Sequence, residues 1–183
     1  MIDSWKTLKR LIATPDLPVL GPTPRPGRLP LPELNQRIER FLADPNVPAA
    51  IHPSIRSAVL LWHDYLDESH TISQHLHGAD GSFLHGIMHR REPDYPNAKY
   101  WFHRVGKHRS FPNIAKQVAR LLETKGATEL AAKLAPLGDW DPFGFVEACR
   151  QAAELPLSDA GVQSLQAVQE IEFDCLLAYL FAT

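Results

Sequence analysis

His85-Gly86-Ile87-Met88-His89-Arg90-Arg91-Glu92-Pro93-Asp94-Tyr95-Pro96-Asn97-Ala98-Lys99-Tyr100-Trp101-Phe102-His103-Arg104-Val105-Gly106 carries two prolines three residues apart between two helix-patterned flanks. Pro93 and Pro96 lack an amide donor and fix φ, so no helix runs through them. The residues on either side carry helical spacing and no strand alternation. Two short helices, over about 82–91 and 97–104, therefore fold back on each other as a helical hairpin.

Working outward, the same signals recur. Pro32 opens a segment with Leu34, Ile38, Phe41 and Leu42 at helical spacing, closed by Asp44-Pro45. Pro53 opens a longer helix to about residue 74, striped by Ile55, Val59, Trp62 and Leu66. A helix over 113–125 stops at Gly126, a natural position for a left-handed cap. Asp141-Pro142 supplies an N-cap and a first-turn proline for a helix to about residue 153, and a last helix covers about 158–181. A first helix over 4–13 aligns Trp5, Leu8 and Ile12. Seven prolines between Pro15 and Pro32 exclude both helix and central strand, and predict an extended arm over 14–32 lying across the domain. The expectation is an all-α fold: one compact domain over 1–183 with eight or nine helices, its histidine-rich helices spanning 54–106.

Composition narrows the function classes. Nineteen Lys and Arg against 21 Asp and Glu give a net charge of −2, so no basic excess calls for nucleic acid. The longest apolar run, 175–182, is far short of the ~20 residues that span a bilayer. The first thirteen residues are too charged for a secretory leader, which places the chain in the cytoplasm. Cys149 and Cys175 form no C-x-x-C pair and read as reduced, buried thiols.

The hairpin is similar to a tetratricopeptide-type helix pair: Gly86, Ala98, Phe102 and Val105 stand at its small and large packing positions, with Gly86 against Ala98. The same residues resemble an uncharacterised bacterial and fungal family with the pattern H-x3-H-R-x-E-x-D-x2-N-A-x-Y-W-x2-R-x-G. Here those positions are His85, His89, Arg90, Glu92, Asp94, Asn97, Ala98, Tyr100, Trp101, Arg104 and Gly106. An upstream H-D-x-L-D-x-S-H belongs to the resemblance, here His63, Asp64, Leu66, Asp67, Ser69 and His70. The family carries arginine where His103 stands, and the resemblance implies no activity.

His85 and His89 lie four apart and share a helix face. On the preceding helix His63, Asp67, His70 and Gln74 fall within about 60° of one another at 100° per residue. A short turn near Gly78 and Gly81 makes the two helices antiparallel neighbours, which predicts a cluster of His70, His85 and His89 with Asp67. His63 and Glu92 complete the candidate site. Three chemistries fit. One is a polar network, with arginines paired to Glu92, Asp94 or Glu68. The second is a zinc, iron or manganese site on His70, His85 and His89. The third is a metal-free pocket for an unknown small molecule, with Arg90 and Arg104 as anion anchors. A protein-docking role for the hairpin is the alternative class. His52, His75, His77 and His108 read as solvated, Trp101 and Phe102 as core, and Glu170 or Glu172 as a spare carboxylate. No phosphate loop, H-E-x-x-H or G-x-S-x-G elbow is present.

Overall fold

Ten α-helices and two short 3-10 turns make up residues 2–182, the part described by this computed structural model, and no strand occurs among them. In chain order they are α1 (Ile2–Leu11), α2 (Leu31–Leu42), α3 (His52–Trp62), α4 (Leu66–Ser73) and α5 (Ala79–Arg91). Then follow α6 (Tyr95–Val105), α7 (Phe111–Thr124), α8 (Thr128–Leu134), α9 (Pro142–Gln151) and α10 (Ala160–Ala182). The all-α expectation holds, with one more helix than the upper count.

Periodicity explains most of these elements. In α2 the buried side chains are Leu34, Ile38, Phe41 and Leu42, one stripe of a two-faced helix. Asp141 caps α9, its carboxylate accepting from the Phe143 amide at 3.0 Å, with Pro142 in the first turn. Two helices depart from this pattern. α10 is buried along most of its length and packs on α3, α7 and α9. α5 is buried at every residue from Gly81 to Arg91, including His85, His89, Arg90 and Arg91. A helix without a solvent face must find internal partners for its polar groups, since an unpaired buried polar group costs roughly 1–3 kcal/mol.

α5 and α6 form the expected hairpin around the Pro93 and Pro96 break. One contact differs from the reading of the sequence. A β-carbon at Gly86 would meet the Phe102 ring at 3.1–3.2 Å, so the close neighbour is Phe102 rather than Ala98. Gly86→Leu is expected to destabilise the chain by roughly 1–3 kcal/mol through overpacking. An unchanged urea midpoint would show that the ring can move aside.

The expected helix over 53–74 is broken into α3 and α4. Asp64 adopts a left-handed φ of 65°, the Tyr65 amide bonds back to the Leu60 carbonyl (2.9 Å), and the Asp64 amide bonds to Leu61 (3.2 Å). This is the Schellman pattern, with Asp in the place where glycine is usual. Neither Gly nor Pro marks the break, which is why the pattern of stripes ran through it.

The arm between α1 and α2 is extended and packed on the fold. Its Pro18 carbonyl accepts from the Gln169 amide of α10 at 3.1 Å, and Leu17, Leu20 and Leu29 lie against the core. Arg25, near its end, is buried beside Asp64.

Candidate functional site

α5 meets its polar obligations in different ways along its length. Arg90 donates to both carboxylate oxygens of Glu172 on α10, at 3.0 and 2.5 Å, and stacks 4.1 Å from the Phe145 centroid. Both partners of this pair are fully buried. Burial raises the Glu172 pKa, and the guanidinium pulls it back. Arg91 donates to Asp64 at 2.6 Å and to the Leu61 carbonyl. Asp64 also accepts from the Arg25 side chain (2.7 Å) and backbone amide (3.0 Å). Burial would raise the Asp64 pKa, but Arg91 and Arg25 outweigh it and the net shift is downward.

These pairings correct two expectations. Arg90 is not an anion anchor, because its guanidinium is spent on Glu172 in the interior. Glu172 is neither solvated nor a carboxylate for the histidines. Arg104, the other proposed anchor, is exposed, with its guanidinium 5.3 Å from the Trp101 centroid and 5.9 Å from that of Tyr100.

Arg90 and Arg91 each keep one buried Nε without a partner, and the two histidines of α5 differ from one another. Their rings stack at 4.7 Å, and His70 of α4 stands edge-on to both, at 4.8 Å from His85 and 5.2 Å from His89. One nitrogen from each of the three rings falls within 4.8 Å of the others. His89 Nδ1 lies 3.0 Å from the Glu92 carboxylate and its Nε2 3.0 Å from the Asn97 amide. In that arrangement His89 Nδ1–H donates to the Glu92 carboxylate, and the Nε2 lone pair accepts from the Asn97 amide. Trp101 covers the outer face of His85, centroids 4.0 Å apart and planes 13° apart. His85 Nδ1 is buried with no hydrogen-bond partner.

Burial, followed by the neighbouring His89 and His70 rings, pushes the His85 pKa down to about 4. His89 is also lowered, by burial, with Glu92 opposing. At neutral pH both rings are therefore uncharged and present lone pairs.

The other candidates sit elsewhere. His63 caps α3 before the Asp64 elbow, and its Nε2 bonds the Leu11 carbonyl at 2.9 Å, away from the cluster. Asp67 is exposed on the first turn of α4 and is not among the clustered donors. The elbow accounts for His63, because it rotates α4 relative to α3; Asp67 shares α4 with His70 but stands on its exposed first turn. Glu92 touches the cluster only through His89. His108 is buried rather than solvated, held between Asp80 (2.8 Å) and Ser110 (2.7 Å) and packed on Phe83 and Tyr179. His75 and His77 are exposed as expected.

Asn97 and Trp101 were not singled out as site residues, though both belong to the N-A-x-Y-W pattern. They lie one turn apart on α6, on the side that meets α5, and that spacing was the available signal. No protein-family model, curated protein or solved structure matches this chain.

Both cysteines are free and buried, and burial raises Cys149 to about 12 and Cys175 to about 11. They stay as protonated thiols and add no ligand. No helix among the described residues is long and apolar enough to cross a membrane.

Proposed function

We propose that the chain binds a divalent transition metal, zinc before iron or manganese, through His70, His85 and His89. The observation that carries this reading is the set of three imidazole nitrogens within 4.8 Å of one another. Two ligands bound at about 2.1 Å to one tetrahedral ion lie about 3.4 Å apart, so the widest pair closes by about 1.4 Å on binding, a shift that side-chain rotation can supply. Low basicity at His85 and His89 favours the neutral form that a metal requires. Their separation by one helical turn gives two ligands from a rigid element. Three neutral imidazoles suit zinc or ferrous iron better than manganese, which prefers oxygen donors.

Glu92 supports the same reading. A carboxylate on the far nitrogen of a metal-bound histidine sets the ring's tautomer and raises its basicity. The Asn97 amide that bonds His89 Nε2 would give way to the ion. A three-histidine set leaves a fourth position for water, whose pKa zinc lowers to about 7. Hydrolytic or hydration chemistry is the reaction class such a site supports. The spacing of the rings suits an ion rather than an organic molecule between them.

The test is elemental analysis after loading with zinc and gel filtration. Wild type is expected to retain one ion per chain, and His85→Ala with His89→Ala to retain none while its helical circular dichroism persists. His70→Gln, at a half-buried position, gives the same answer with less disturbance to the core. Glu92→Gln should weaken uptake about 10–100-fold without abolishing it. His75→Ala with His77→Ala, both exposed, should change nothing. A wild-type protein that leaves the column without stoichiometric metal overturns the proposal.

A further inference from the structure

Residues of the arm line a cavity of about 310 Å³ that none of His70, His85 and His89 borders. It is bounded by the end of α1, the first turns of α2 and the arm itself. Four arginines line it, Arg10, Arg25, Arg28 and Arg37, with His63 also in the wall and Asp16 the one carboxylate among the lining residues. The volume is at the lower end of the range for small-molecule sites.

The four guanidiniums are not equivalent. Arg25 is structural: it is buried, and Asp64, Thr14 and the Asp16 and Trp62 carbonyls take its donors. Arg37 is exposed and paired with Glu33 at 2.6 Å. Arg28 makes no ion pair; one nitrogen donates to the Asp64 carbonyl at 2.9 Å, and its plane lies 4.3 Å from the Tyr65 centroid. The Arg10 side chain, exposed in the last turn of α1, makes neither a hydrogen bond nor an ion pair among the described residues. Two guanidiniums without a carboxylate thus border one cavity, and the wall between them is partly apolar, with Leu11, Pro15 and Leu29.

Burial lowers the His63 pKa, the Leu11 carbonyl and the Asp64 charge oppose this, and the nearby Arg25 and Arg37 charges lower it further. A positive cavity lowers the cost of placing an anion there and raises the cost of protonating a histidine.

We propose that this cavity binds a small phosphorylated molecule, its phosphate held between Arg10 and Arg28 and its apolar part against Leu11 and Leu29. A phosphate dianion matches two unpaired guanidinium forks in charge and geometry, where a single carboxylate matches one. The site is separate from the histidine cluster and does not depend on it.

Isothermal titration with inorganic pyrophosphate, in the presence of a chelator so that no metal takes part, tests this directly. One molecule is expected to bind per chain, at least tenfold more tightly than succinate at equal ionic strength. Arg10→Gln should weaken binding at least tenfold, and Arg28→Gln by a similar factor. Arg40→Gln, on α2 but outside the cavity, should bind like wild type. Arg28 also tethers the arm, so Arg10→Gln is the deciding variant: Arg10 has no partner to lose, and the fold should be unaffected. No saturable binding overturns the proposal, as does an Arg10→Gln variant with wild-type affinity. Equal weakening by Arg40→Gln would reduce the effect to general surface charge, and succinate binding as tightly as pyrophosphate would rule out phosphate as the recognised group.

Discussion

Asp64→Ala is expected to cost about 3–5 kcal/mol, the usual penalty for removing one member of a buried ion pair. With a total stability of about 5–15 kcal/mol typical for such chains, this leaves the fold marginal or unfolded at 37 °C. The carboxylate holds Arg91 of α5 and Arg25 of the arm at once, and the fully buried Arg91 has no water to turn to. The backbone adds a second, separable effect. Alanine at a left-handed φ costs roughly 1–2 kcal/mol that glycine avoids. Asp64→Gly should therefore be less damaging than Asp64→Ala by about 1 kcal/mol, though both lose the ion pairs. Urea unfolding of the two variants measures both quantities. Equal midpoints would show that the elbow conformation carries no cost of its own. A loss below 1 kcal/mol in both would show that the arginines find other partners.

Acidification of the metal-free protein is expected to remove about 2–3 kcal/mol of stability between pH 6.5 and 4 through His85 alone. Its folded pKa, about 4, lies below the ordinary value near 6.5. In that window the unfolded chain takes up a proton that the folded chain refuses, so stability is complete above pH 6.5 and falls as pH drops toward 4. His63 and His89 are lowered too and act in the same direction. Glu170 and Glu172, whose pKa values are raised, act in the opposite one. Asp64, whose pKa is depressed, loses its contribution only below the ordinary carboxylate range. Comparing wild type with His85→Gln, in chelator at pH 7 and pH 4.5, isolates the His85 share. The two stability curves should converge as pH falls, and parallel curves would show that His85 is not the buried neutral ring described above.

Bound metal would steepen this dependence, because each histidine proton then competes directly with the ion. The acid transition and the loading experiment are thus linked. A wild type that retains zinc should shed it over the same pH range in which the metal-free protein weakens.

Local signals carried the helices far. Leu34, Ile38, Phe41 and Leu42 predicted the buried face of α2, and Asp141-Pro142 predicted the start of α9, because stripe and cap are properties of neighbours in the chain. Pro93 and Pro96 placed the hairpin for the same reason. The short link between α4 and α5 was enough to bring His70 to His85 and His89. Those three residues were legible as a group.

The elbow was not legible, and the misplacement of His63 traces to it. Asp64 holds a conformation usually left to glycine because Arg25 and Arg91, remote in sequence, fix its carboxylate. Without that knowledge α3 and α4 read as one helix, and His63 joins a stripe it does not share with His70. The buried state of α5 was hidden in the same way. His85-Gly86-Ile87-Met88-His89-Arg90-Arg91 has a mixed composition that suits a helix with one wet face. Only Glu172 on α10 and Asp64 at the elbow make it possible to bury both arginines. Near neighbours in the chain set where most helices begin, which faces are apolar and which histidines meet across a short turn. Tertiary structure alone decided which charges are consumed inside and which are left to bind something, because a buried charge is settled by partners far away in the chain.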